Sequence, residues 1–235
     1  MMDSAAVFSV LSRCFVESEQ AEWDELTAPT AWADFLGGAR QMLQDTHDLA
    51  ERAPRGSRRI SGCPLRDALS ESELKALAVP PTFAAHDEFA RTHFTGGLPY
   101  SAVPVESLYC KDDDRRDPLE PNRGLYLGKT ADYMRDLTTS LGLSIPDKFR
   151  ACPDHLSLEL DLIAVLLRSG MAAQAQTLVV ERLGWLTDYR MKLIGLNEEA
   201  ANFYISLVDM LVCERAKFTE ASDEEDERPR AVAKR

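Results

Sequence analysis

Apolar residues recur at helical spacing along nearly the whole chain, and no stretch shows the alternation and turn signals of strands and hairpins. That restricts the fold to helices packed on helices. Val7, Phe8, Leu11, Cys14 and Phe15 mark a first helix within Ala5 to Glu19. Trp32, Phe35, Leu36, Met42, Leu43 and Leu49 mark a longer one within Asp24 to Arg52. The basic, Gly/Pro/Ser-containing stretch from Arg52 to Cys63 reads as a loop. Ser70 and Glu73 form a capping-box pattern that opens a short helix, Pro80-Pro81 ends it, and Thr82 to Phe94 is helical again.

The irregular part lies between Gly96 and Asn122, with Pro99, Pro104, Pro118, Pro121 and the solvated charge run Asp112 to Asp117. Beyond it, Tyr126, Thr130, Tyr133, Met134, Leu137 and Leu141 line one helix face that Gly142 should end. Leu156 to Leu167 is apolar almost all round, the pattern of a helix at the centre of a bundle. Gln174 to Ile194 and Glu198 to Phe218 complete the helices, the last burying Ala200, Phe203, Tyr204, Leu207 and Leu211. The expected architecture is all-α: one helical bundle over residues 1–218, then a charged, disordered tail over 219–235. Trp23, Trp32 and Trp185 fall within helical patterns and read as core or rim.

Charge narrows the partners. The 235 residues carry 27 Lys plus Arg against 39 Asp plus Glu, a net charge of −12. Nucleic acid and anionic lipid are repelled by such a surface, whereas a basic peptide is attracted. The same charge also serves plain solubility. Cys14, Cys63, Cys110, Cys152 and Cys213 are scattered, with no Cys-x-x-Cys and no zinc spacing, which predicts reduced thiols and a cytoplasmic location. The opening Met-Met-Asp-Ser-Ala-Ala shows no basic region before an apolar core, so no secretory signal is expected. The longest apolar run, Leu162 to Leu167, is too short to span a bilayer.

Catalytic signatures are absent. There is no phosphate loop, no dinucleotide fingerprint and no nucleophile elbow, and His47, His86, His93 and His155 form no metal pair. One constellation stands out, Pro153-Asp154-His155-Leu156-Ser157-Leu158-Glu159. Pro153 and Asp154 suit a helix start, where Asp154 can accept an orphan backbone N–H, and His155 and Glu159 share a helix face. A carboxylate beside an imidazole can act as a base, hold a metal, or bind a guanidinium. It can equally be a helix cap with a satisfied histidine at the core's edge. The second feature is Gly96-Gly97-Leu98-Pro99 followed by Pro104-Val105-Glu106-Ser107-Leu108-Tyr109. It is either a shaped loop presenting Leu98, Tyr100, Glu106 and Tyr109 to a ligand or a helix connection with Tyr109 packed inside.

The two features occur in the order seen in the TorD/DmsD family of redox-enzyme maturation chaperones, which the chain resembles. Phe94-Thr95-Gly96-Gly97 with Pro104-Val105-Glu106-Ser107-Leu108-Tyr109 resembles the family's Leu-Phe, Gly-rich, Pro-Pro-aromatic-Glu-Ser-Val-Tyr segment. Pro153-Asp154-His155-Leu156-Ser157-Leu158-Glu159-Leu160 resembles its Pro-x-Asp-His-Leu-x-x-Glu-Leu element. Leu183-Gly184-Trp185-Leu186 and Phe203-Tyr204 are similar to its later helices, so the likeness covers Phe89 to Leu211. The sequence departs from the pattern at Leu98, Val103 and Val105 and in the insert Asp112 to Asp117.

The resemblance implies an all-helical, cytoplasmic, non-enzymatic chaperone without a cofactor or metal. Its partner is the precursor of a molybdenum-cofactor oxidoreductase, bound through a twin-arginine signal peptide and held from export until the cofactor is inserted. A client without such a signal, as in the nitrate-reductase branch, is compatible with it. On this reading Asp154 pairs with an arginine, His155 shapes the pocket, and Phe94, Glu106, Tyr109 and Glu159 complete the peptide site, in a monomer or a helix-swapped dimer. Two rivals remain at this point. A helical metal-dependent hydrolase using Asp154 and His155 predicts a bound divalent metal, and a structural adaptor has no peptide pocket.

Overall fold

A computed structural model describes residues 2–52, 65, 71–95, 100–110 and 128–226. Among these residues there are helices, turns and one isolated antiparallel bridge between Val105 and His155, and no strand. The all-α expectation therefore holds. In chain order the helices are α1 (Ser4–Cys14), α2 (Gln20–Leu26), α3 (Pro29–Arg52), α4 (Glu71–Leu77) and α5 (Phe83–His93), then α6 (Lys129–Ser140), α7 (Leu156–Arg168), α8 (Ala172–Arg182), α9 (Leu186–Leu196) and α10 (Ala201–Asp226). Short 3-10 turns occupy Glu106–Leu108, Asp147–Phe149 and Leu183–Trp185.

The Asp3 carboxylate caps α1 by accepting from the Ala6 N–H at 2.8 Å, and Val7, Phe8, Leu11 and Cys14 turn inward. Its most extensive packing is against α7, whose Leu156, Leu160, Ile163 and Ala164 are fully buried. α1 stops at Cys14, short of Glu19, because the polar run after Val16 offers nothing to bury. Pro29 takes the first turn of α3, where its missing N–H costs nothing. Chain and helix pass so closely at Gly38 that a Cβ there would lie 2.7 Å from the Met2 carbonyl oxygen and 2.8 Å from Val7 Cγ2, leaving room for glycine alone.

Two indoles clip the α4–α5 connection to the core. Trp23 Nε1 donates to the Pro81 carbonyl at 3.0 Å, and Trp32 Nε1 to the Ala78 carbonyl at 2.9 Å. The three tryptophans are buried as expected. Around them Phe15, Phe89, Phe94, Tyr189 and Tyr204 form one aromatic cluster with centroid spacings of 4.4–6.4 Å. His86 stacks on Trp23 at 3.7 Å, and burial holds its pKa down at about 4.

Gly142 ends α6 as expected, with a left-handed φ of 70°. The single helix expected over 174–194 is two, α8 and α9, separated by the 3-10 turn at Gly184, against which the Arg215 guanidinium packs. The tail boundary expected at Thr219 falls inside α10, and residues 227–235 lie outside the described residues, as do Ser70, Tyr126 and the charge run Asp112 to Asp117. Cys14, Cys110 and Cys152 are free thiols. Cys213 is disulfide-bonded, which corrects the expectation of reduced thiols at that position; Cys63 lies outside the described residues. Among the described residues no helix is long and apolar enough to cross a membrane.

Candidate functional site

The two sequence features meet. The extended segment before Glu106 crosses the start of α7: Leu156 N–H donates to the Pro104 carbonyl at 2.8 Å, and Glu106 N–H to the Asp154 carbonyl at 3.0 Å. Asp154 does not cap α7. Its Oδ2 accepts from the Ser107 N–H at 2.8 Å and from the Thr130 hydroxyl at 2.9 Å, which ties the Glu106–Leu108 turn and α6 to the same point. The cap moves one residue on, to His155, whose Nδ1 accepts from the Ser157 N–H at 3.1 Å. That contact requires the tautomer with hydrogen on Nε2. Burial, then the neighbouring Lys148 charge, depress the His155 pKa to about 3, so the ring is neutral at physiological pH.

Behind this junction lies a buried carboxyl pair. Glu106 forms a bidentate ion pair with Arg182 at the end of α8, one arm being Nε to Oε2 at 3.1 Å. The guanidinium also covers the Tyr133 ring, 5.0 Å from its centroid. Glu159 Oε2 accepts from Trp185 Nε1 at 3.3 Å. Burial, and then the proximity of Glu106, hold the Glu159 carboxyl well above its ordinary range. The raised Glu159 pKa favours its neutral form beside the Glu106–Arg182 ion pair, where a second buried negative charge would be unfavourable. Tyr109 closes the cluster, its hydroxyl donating to the Val103 carbonyl at 3.0 Å and its ring stacking on Trp185 at 5.3 Å.

A raised folded-state pKa stabilises the fold fully below the unfolded value and loses that contribution as pH climbs through the folded value. For Glu159 the loss begins near 4.5 and continues upward, at up to about 1.4 kcal/mol per pH unit. Glu159→Gln keeps the acceptor for Trp185, supplies an amide donor to Glu106 and cannot ionise. Its stability relative to the native chain should therefore rise from pH 5 to pH 8 in urea unfolding. Parallel curves for the two proteins would show that no proton is held there.

On the other side of His155 is an open groove of about 900 Å³. Its floor is Phe15, Phe94, Val103, Phe149 and His155; the Phe149 and His155 rings lie 4.8 Å apart. Glu17 and Glu19 on the α1–α2 connection, Glu22 in the first turn of α2, Asp87 and Arg91 on α5, and Lys148 form the polar rim. Asp87 and Arg91 pair with each other. Of the residues singled out from sequence, Phe94 and His155 line this groove, while Glu106, Tyr109, Asp154 and Glu159 are joined in the cluster behind it. Arg182, Phe149 and the three glutamates were not identified from sequence. A lone arginine ending a helix and acids in a loop leave no periodic signal; only the spacing Glu17-x-Glu19-x-x-Glu22 hints at them.

The arrangement suits binding better than chemistry. Among the described residues no group of His, Cys, Asp and Glu could hold a metal ion. The Cys152 thiol beside the groove is pushed up by burial and by Asp154, which makes it a poor nucleophile at neutral pH. The family model described as nitrate reductase delta subunit matches residues 64–191, more than half of the chain, and the chain belongs to that family. Its members are redox-enzyme maturation chaperones that act with nitrate-reductase-type molybdoenzyme subunits, and the family is not catalytic. The matched span contains both motifs on which the TorD/DmsD resemblance rested. A search of curated proteins returned no match.

Proposed function

We propose that the groove holds a basic and apolar segment of an apo-molybdoenzyme catalytic subunit, the twin-arginine signal peptide of its precursor, in the cytoplasm. Occupancy delays export until the molybdenum cofactor is inserted. The observation that carries this reading is the pairing of an apolar aromatic floor with an acidic rim in one groove. Phe94 and His155 touch the client. Glu106, Tyr109, Asp154 and Glu159 act from behind by fixing the segment that forms the wall.

Calorimetric titration with the signal peptides of the host's molybdoenzymes tests the proposal. One peptide should bind, and Phe94→Ala should weaken it roughly tenfold or more, the effect of losing a buried aromatic anchor. Binding by none of the peptides, or equal binding by the Phe94 variant, would remove the groove as the client site.

A further inference from the structure

Resting on that reading of the groove, we infer that Glu17 and Glu19 on the α1–α2 connection and Glu22 in the first turn of α2 are the carboxylates that receive the client's arginines. The acidic residues of the two motifs cannot do so from where they stand. Asp154 is 0% exposed and its Oδ2 already accepts two hydrogen bonds. Glu106, 2% exposed, is closed on Arg182, and Glu159 is 0% exposed behind it.

The three glutamates, by contrast, are accessible, line the groove, and make no side-chain ion pair or hydrogen bond among the described residues. A guanidinium placed among them gains charge-assisted hydrogen bonds that no arginine or lysine of the described chain supplies.

An independent feature marks the same groove as a peptide site. His155 is 95% buried by its 5% exposure and lines the floor, yet its Nε2–H has no partner among the described residues. Nδ1 is already committed to the Ser157 N–H, so Nε2 is a fixed donor suited to a backbone carbonyl. Lys148, whose charge reaches His155, repels a guanidinium from that part of the floor. The client's basic residues therefore settle at the α1–α2 connection and the first turn of α2, and its apolar residues cover the exposed edges of Phe94 and Phe149.

The test is a charge swap on the full chain. Two synthetic peptides are titrated, one with an Arg-Arg pair before a leucine-rich run and one with Glu-Glu in its place. The native protein is compared with the triple variant Glu17→Lys, Glu19→Lys, Glu22→Lys and with Phe94→Ala. The triple variant should fold normally, since the three side chains are exposed. It should lose roughly 10- to 100-fold in affinity for the Arg-Arg peptide and bind the Glu-Glu peptide more tightly than the native protein does. The native affinity should also fall with added salt. If the triple variant binds the Arg-Arg peptide as the native protein does while Phe94→Ala weakens it, the glutamates are not the receptor and the groove remains the client site. Absence of an effect in both variants, or of any binding by the native protein, overturns the groove reading as well.

Discussion

Arg182→Met will lower the stability of the fold by about 3–5 kcal/mol at pH 7, the usual cost of removing one partner from a buried ion pair. Among the described residues Arg182 is the cation bonded to the Glu106 carboxylate, and the side chains of the pair are 14% and 3% exposed. Methionine replaces the stem of the arginine but not the guanidinium over Tyr133, so the loss reports the charge and that ring contact more than a cavity. Adding Glu106→Gln to the same chain should recover most of the stability, because the uncompensated charge is then gone. The single variant's deficit should also shrink in mild acid, where Glu106 can take up a proton. Urea unfolding of the two variants at pH 7 and pH 4.5 decides the matter. A single-variant loss below about 1 kcal/mol would place the pair among weak surface bridges.

Asp154→Ala is the second large effect, expected to cost about 2–3 kcal/mol. It strips the acceptor from the Ser107 N–H and the Thr130 hydroxyl and leaves the buried amide unpaired. Three elements are released together: the turn at Glu106–Leu108, the start of α6 and the start of α7. Peptide affinity should fall with stability, since the released segment is the one that carries Val103 on the groove floor. Asp154→Asn is the discriminating control, because its amide oxygen can still accept both bonds while the charge is lost. If Asp154 acts by position, the asparagine variant should restore both the unfolding midpoint and most of the peptide affinity. If it met an arginine directly, asparagine would restore the midpoint and leave the affinity low.

The helices were legible because their buried faces repeat. Val7, Leu11 and Cys14, or Tyr204, Leu207 and Leu211, announce both the helix and the side that faces the core. Gly142 announced a stop because only a residue tolerant of a left-handed backbone ends a helix in that manner. The site was legible as two motifs and not as one object. Nothing local in Pro153-Asp154-His155 says that the aspartate is captured by the Ser107 N–H, 47 residues away, leaving the histidine to cap α7. Nor does any window contain Glu106, Glu159 and Arg182 together. Groups that neutralise one another across the fold are set by tertiary contact, and a sequence pattern records only periodicity and short-range chemistry.

The packing of α1 on α7 bears on when the protein becomes competent. Ser12 bonds Asp161 across 149 residues, and the groove draws Phe15 from one end of that interval and His155 from the other. A chain leaving the ribosome amino terminus first therefore carries α1 with its apolar face uncovered until α7 has emerged. Between the emergence of α1 and that of α7 the nascent protein has half a groove and needs shelter itself. Contacts this distant in sequence also form slowly, so the groove is complete only once α7 has packed on α1.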